Sequence, residues 1–292
     1  MSIFVEYARP KVNLTLAIRG RRGDGYHELA SLVAFASGGP EDRIELDTAG
    51  PAGIAVTGPF GSAIVGENLL QRVLDRVAPH LECRSPGTIT LDKALPVAAG
   101  VGGGSADAAA LLRALRRAFP DLATTIDWQA LALSLGADVP VCLAGTTTWM
   151  TGIGETLTPV VEMPAFAAVL VNPCVAVPPD KTARVFRILA APALTNQTPI
   201  TPCPRIEADA PRQIVELSRY ANDLTAAAAQ VVPQIGDVLA ALTACEGCRL
   251  ARLSGAGPTA FGLFDDGMSA EDAAAALRQA HPGWWVSAAT LG

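Results

Sequence analysis

Basic residues are few: 22 Lys plus Arg stand against 28 Asp plus Glu, and only three lysines occur, Lys11, Lys93 and Lys181. No basic run stands out, so the electrostatic footprint of a nucleic-acid binder is missing and nucleic acid is not expected as a partner. Long apolar runs are also missing. Alanine is abundant but scattered, and no stretch of about 18 uninterrupted apolar residues marks a membrane span. The opening MSIFVE lacks the basic-then-apolar pattern of a secretory leader, which makes the cytoplasm the expected compartment. Cysteine is sparse. Cys83, Cys142, Cys174, Cys203, Cys245 and Cys248 lack the density of a disulfide framework and are read as reduced thiols. Cys245 and Cys248 form one C-x-x-C, but no second pair completes a zinc ribbon and no thioredoxin-like unit surrounds it, so it is read as incidental.

The 292 residues are enough for two packed lobes, and a 50% hydrophobic, 17% charged composition belongs to a chain with a real core. Apolar alternation from Ile3 to Ile18, broken at the glycines of residues 20–25, predicts a strand ending in a tight loop. Short strands are expected at 29–36, 43–46 and 88–91. Leu69, Leu70, Val73, Leu74 and Val77 are spaced for a helix over 68–77, and a further helix over 128–135 ends at Gly136. Strands return at 146–150 and 167–171 around the turn of Gly152 and Gly154, where a lobe boundary is expected. The Pro- and Thr-rich stretch from Pro192 to Pro211 reads as a loop or lid. A helix at 230–242, strands at 249–254 and 260–264, and a helix at 269–279 complete the pattern. His80 and His281 sit in segments with no partner signal.

Residues 95–109, LPVAAGVGGGSADAA, carry the most information. A glycine-rich turn opens a helix expected over 105–118. The first amides of a helix lack intrahelical partners and sit at the positive end of its dipole, so such a turn can bind phosphate without lysines. Ser105 could cap that helix or present a hydroxyl to a bound metal. No Gly-Lys-Ser/Thr follows, which excludes a Walker loop, and no βαβ unit with a ribose-binding acid surrounds it, which excludes a dinucleotide fingerprint.

Four segments, in order, resemble the GHMP kinase superfamily: ARPKVNL at 8–14 with GDGYH at 23–27, the glycine loop, LGADVP at 135–140 and RLSGAG at 252–257. The GDGYH and LGADVP elements point to the branch whose acceptor is a cytidine-diphosphate-linked sugar alcohol of isoprenoid precursor synthesis. A mevalonate- or homoserine-type kinase is the nearest alternative, and a non-catalytic nucleotide sensor on the same fold is another.

The resemblance implies an α+β, two-lobed fold, with an N-terminal lobe (1–155) like ribosomal protein S5 domain 2, a C-terminal ferredoxin-like lobe (156–292) and an active site in the cleft. It implies ATP as donor, with Asn68 and Leu69 at the adenine and Lys93 near the nucleotide. Pro96, Val97, Ala98, Ala99, Gly100, Val101, Gly102, Gly103, Gly104, Ser105 and Ala106 line the phosphates. Ala98 and Ala99 stand where the family commonly has glycine. Asn13, Tyr26 and His27 are implied to hold the acceptor, with Thr182 and Phe186 closing over the cytosine, although Pro178 to Lys181 departs from the family pattern. Asp138 is implied to be the general base, with Lys11 keeping it ionised. Mg²⁺ is expected with ATP, its protein ligands unknown. A small-molecule substrate is expected, with no membrane partner.

Overall fold

The computed structural model describes residues 2–64, 68–82 and 84–292. Cys83 lies outside the described residues. In chain order the strands are β1 (Ile3–Ala8), β2 (Lys11–Asn13), β3 (Ala17–Arg21), β4 (His27–Ser37), β5 (Asp42–Asp47), β6 (Gly53–Thr57), β7 (Thr88–Asp92), β8 (Thr148–Gly152), β9 (Thr156–Pro159), β10 (Phe166–Asn172), β11 (Cys248–Leu253), β12 (Ala260–Phe264) and β13 (Trp285–Leu291). The helices are α1 (Leu69–Val77), α2 (Gly103–Ala118), α3 (Trp128–Leu135), α4 (Val139–Ala144), α5 (Lys181–Leu189), α6 (Ala210–Leu217), α7 (Thr225–Val231), α8 (Gln234–Ala244) and α9 (Gly267–Ala280). Among the described residues no helix is long and apolar enough to cross a membrane. The chain forms two compact units that interleave along the sequence.

The first unit comprises Met1–Pro10, Pro40–Val97 and Gly102–Gly145. Its sheet runs β1-β5-β7-β6, antiparallel except for the parallel β6–β7 pair. Helix α2 packs on β1, β5, α1 and α4. Its alanines at 106, 108, 109 and 110 are buried and allow close approach, while Leu111, Leu112 and Leu115 fill the space between. Each such leucine contributes roughly 1.5–3 kcal/mol on burial. From the same helix, Arg113 Nη2 donates to the Tyr7 carbonyl at 2.8 Å and Arg117 Nη1 to that of Val5 at 3.2 Å, which answers open carbonyls of edge strand β1.

The second unit comprises Lys11–Gly39, Ala98–Val101 and Thr146–Gly292. Its main sheet runs β11-β12-β10-β13-β4-β8-β9, with β2 and β3 also paired to β4. From β10 to β13 the order is strand, helices, two strands, helix, strand, and the antiparallel arrangement β11-β12-β10-β13 is the ferredoxin-like pattern. Side chains of β10 alternate between two cores. Ala168 and Leu170 join Leu14, Leu32 and Phe261 on one face, while Val169 and Val171 join Val238, Leu242 and Leu277 on the other.

Two expected elements are divided by proline. The strand expected over 3–18 is divided into β1, β2 and β3, and Pro10, which has no N–H to give a ladder, marks the break between β1 and β2. The helix expected over 230–242 splits into α7 and α8 at Pro233, which is the N-cap of α8. Pro192 to Glu207 is free of helix, and Asp209 caps α6 by accepting from Arg212 N at 2.9 Å.

Candidate active site

The first half of the glycine loop is held by its carbonyls, all within the second unit. Ala98 O accepts from Lys181 Nζ at 2.9 Å, Ala99 O from Thr259 N at 2.8 Å, Gly100 O from Ser254 Oγ at 3.0 Å and Val101 O from Lys11 N at 2.9 Å. Gly100 has φ +82°, and a Cβ there would lie 2.6 Å from the Gly257 carbonyl oxygen, so only glycine fits. Ala98, with φ +55°, holds the same left-handed conformation without being glycine. The GAG turn of RLSGAG is thus a seat for the loop.

The chain then enters α2 through Gly102, a left-handed N-cap at φ 66°, ψ 20° with no side-chain cap. The helix begins two residues earlier than the sequence pattern indicates, and Ser105 lies in its first turn rather than capping it. Ala106 N reaches Gly102 O at 2.7 Å, so the amides of Gly103, Gly104 and Ser105 precede the first full helical bond.

Lys93 lies behind this helix start: a Cβ on Gly103 would be 3.2 Å from its Nζ. The ammonium is buried and bonded to Asp42 Oδ2 and Asp107 Oδ2, each at 2.6 Å. Asp42 Oδ1 also accepts from the amides of Ala94 and Leu95 at 2.7 and 2.8 Å. Burial pushes the Asp107 carboxyl up to about 8 against the pull of Lys93, with the Asp42 charge adding to the rise. Burial lowers the Lys93 pKa, but the two carboxylates outweigh it and the net direction is up. Asp42 and Asp107 were not foreseen, since the resemblance places Lys93 near the nucleotide and names no acidic partner for it.

Lys11 and Asn13 are buried in β2. Lys11 Nζ donates to Asn13 Oδ1 at 2.7 Å, and Asn13 Nδ2 to Ser31 Oγ at 2.8 Å. In the first unit, Asp138 is the N-cap residue of α4 but makes no side-chain cap bond there. The ordinary structural use of a helix-terminal aspartate is therefore not its use here. Asn68 does cap α1, with Oδ1 accepting from Leu70 N at 3.0 Å, and Leu69 is the first residue of that helix.

A family model of the GHMP kinases N terminal domain matches residues 68–146, and one of the GHMP kinases C terminal matches residues 206–283. The 4-diphosphocytidyl-2-C-methyl-D-erythritol kinase of Paramagnetospirillum magneticum is 44% identical, covering 100% of this chain and 99% of its own. That of Methylobacterium radiotolerans is 46% identical over 98% of each.

The chain belongs to the 4-diphosphocytidyl-2-C-methyl-D-erythritol kinase family of GHMP kinases.

A crystal structure of 4-(cytidine 5'-diphospho)-2C-methyl-D-erythritol kinase is 36% identical, with TM-score 0.73 and 99% of both chains covered. A homoserine kinase from Cytophaga hutchinsonii, 17% identical with TM-score 0.69 over 99% of this chain and 96% of its own, shares the fold. In this GHMP kinase, a small-molecule phosphotransferase of α+β fold, the second unit brings His27 and Phe186 together. Their rings stack 4.6 Å apart at 27°. Burial, then the Arg21 charge, lowers the His27 pKa, which favours the neutral imidazole. Tyr26 follows the turn at Gly25 and is 57% exposed. Thr182 is exposed in the first turn of α5. Pro96 is buried, while Val97 is exposed next to Ala98. Among the described residues no group of three His, Cys, Asp or Glu side chains could hold a metal. Mg²⁺ carried on nucleotide phosphates needs only one or two protein oxygens, so the residues present are compatible with it.

Proposed function

We propose that the chain transfers the γ-phosphoryl group of ATP to the 2-hydroxyl of 4-diphosphocytidyl-2-C-methyl-D-erythritol, in the methylerythritol phosphate route to isoprenoid precursors. The observation that carries this reading is the carbonyl-anchored glycine loop running into the uncapped start of α2, in a chain 42–46% identical over its full length to kinases named for that substrate. Phosphoryl transfer needs alignment and charge stabilisation more than covalent chemistry from the protein. Residues 96–106 hold the phosphates, and Asn68 and Leu69 border the adenine. Lys93 acts from behind, by fixing the start of α2 to β5 and β7.

Asp138 accepts the proton of the acceptor hydroxyl, and Lys11 supplies positive charge that keeps a carboxylate ionised and eases alkoxide formation. Asn13 orients Lys11. Tyr26, His27, Thr182 and Phe186 receive the cytidine: the aromatic faces stack on the base and the imidazole reaches its polar edge. Ser105 would offer a protein oxygen to Mg²⁺, which when bound would neutralise charge on the nucleotide phosphates. The family lobes at 1–155 and 156–292 and a cytoplasmic location belong to the same reading; the two family matches fall one in each lobe. ADP release measured with a panel of alcohols tests it. Turnover with the cytidine substrate alone is expected. Turnover with mevalonate or homoserine instead would overturn the substrate, and none with any alcohol would leave a nucleotide sensor.

A further inference from the structure

Lys181 opens α5 and is 5% exposed. A lysine so deeply buried needs its charge answered. Its ammonium donates instead to two neutral backbone carbonyls from separate parts of the second unit, Ala98 O at 2.9 Å and Gly257 O. Among the described residues no acidic side chain pairs with it. The charged residues of the elements around it include Asp180 at the N-cap of α5, Arg184 and Arg187 on α5, Asp223 ahead of α7, Asp237 on α8 and Arg252 on β11, and burial is what brings the Lys181 pKa down to about 8. Helix α7, which packs against α5, carries no titratable side chain.

The consequence follows from peptide geometry. In a planar trans peptide the C=O and the following N–H point in opposite directions. Held carbonyls at Ala98, Ala99 and Gly100 therefore turn the amides of Ala99, Gly100 and Val101 the other way, as an anion-binding loop requires. Three of the four carbonyl anchors over 98–101 come from backbone amides or a serine. The first comes from a cation, and it also grips the seat of the loop at Gly257.

We propose that Lys181 is a positioning residue for the phosphoryl donor, clasping the carbonyls of Ala98 and Gly257 so that its charged form sets the entrance of the glycine loop for nucleotide. The proposal rests on the reading of residues 96–106 as the phosphate loop. Thr182 and Phe186, on the acceptor side in that reading, share the helix, so the acceptor site provides an internal control.

The test is calorimetric titration of Mg²⁺ with a non-hydrolysable ATP analogue, and separately of the cytidine substrate, into the unmodified protein, Lys181→Met and Lys181→Arg at pH 7 and pH 9. Loss of a charge-assisted hydrogen bond predicts nucleotide binding about tenfold weaker in Lys181→Met at pH 7. Acceptor affinity should stay within about twofold on the same scale. The unmodified protein should lose nucleotide affinity between pH 7 and pH 9. Lys181→Met should show no such loss, and Lys181→Arg should bind alike at both. The stability of the fold moves the opposite way. The folded pKa lies below the free value of 10.5, so between about 8 and 10.5 the unfolded chain holds more protons and this residue's contribution rises with pH. A general loosening cannot mimic the effect.

Unchanged nucleotide affinity in Lys181→Met, equal losses for both ligands, or the same alkaline weakening in Lys181→Met as in the unmodified protein would each overturn the proposal. Should the Met variant not fold, the unmodified protein and Lys181→Arg decide, since identical pH dependence in the two rejects it. Absence of nucleotide binding by the unmodified protein is a different failure, that of the phosphate-loop reading itself.

Discussion

The Lys93 ammonium lies 2.6 Å from the Asp107 carboxylate, with Asp42 at the same distance, so one buried cation serves two acids. Asp107 Oδ1 has no hydrogen-bond partner among the described residues. Removing the cation leaves the buried Asp42 and Asp107 pair without its countercharge. Lys93→Met is expected to cost about 3–5 kcal/mol in urea unfolding, and Asp107→Asn distinctly less. The pH dependence has a definite sign. The folded pKa of Asp107, about 8, lies above its free value of 3.8, so its contribution to stability is fullest at low pH and is lost as the pH rises towards 8. The stability gap between the unmodified protein and Asp107→Asn should therefore narrow from pH 5 to pH 8; a constant gap would contradict the shift.

Adjacent loop positions should respond in opposite directions to small changes. Ala98 holds φ +55° with a Cβ, a conformation that costs about 1–2 kcal/mol for a residue other than glycine. Ala98→Gly relieves that strain while loosening the unfolded chain, so a net gain of up to about 1 kcal/mol is expected. Gly100→Ala places a Cβ 2.6 Å from the Gly257 carbonyl and should lose more than that. It should also raise the apparent KM for ATP. Denaturation midpoints of the two variants check the pair, and shifts of the same sign would argue against the loop geometry.

Local signals made much of this legible in the sequence. The glycine loop, the GDGYH turn and the RLSGAG turn are short segments whose chemistry is read where they stand. Helix α2 was visible from its alanine and leucine spacing, but its start was placed late, because Gly102 caps it through a left-handed backbone that no side chain advertises. Partners far apart in the chain were not legible. Asp42 reaches Lys93 across 51 positions, and Leu14 O reaches Arg252 across 238. Lys181 stood out as a departure from the family pattern, yet nothing local indicated that it would hold Ala98.

Arg252 shows what such distant bonding is worth. It is buried, and its guanidinium donates to the carbonyls of Leu14 at 2.5 Å, Leu217 at 2.9 Å and Tyr220 at 2.6 Å, joining three segments of the second unit. Burial lowers its pKa to about 10. A lysine has the charge but not the planar fork, so Arg252→Lys should cost about 2–3 kcal/mol by leaving at least one carbonyl unanswered. Equal stability of the two proteins in urea would show that the fork geometry is irrelevant.

Asp138 and Tyr26 separate chemistry from recognition. Asp138 does not cap α4 with its side chain, so Asp138→Asn should leave the helix intact. If this carboxylate is the general base, turnover should fall by roughly 10²–10⁴-fold with KM for both substrates little changed. Tyr26 is exposed and precedes His27 of the stacked His27–Phe186 pair, so its loss removes uniform binding of the cytidine ring rather than transition-state stabilisation. Tyr26→Ala should raise KM for the cytidine substrate about tenfold, the scale of one aromatic stacking contact, while kcat and KM for ATP stay near those of the unmodified enzyme. Steady-state kinetics of both variants against both substrates provide the check. A fall in kcat for Tyr26→Ala with its KM unmoved would take the ring out of the binding role, and undiminished turnover in Asp138→Asn would send the search for the base to another carboxylate.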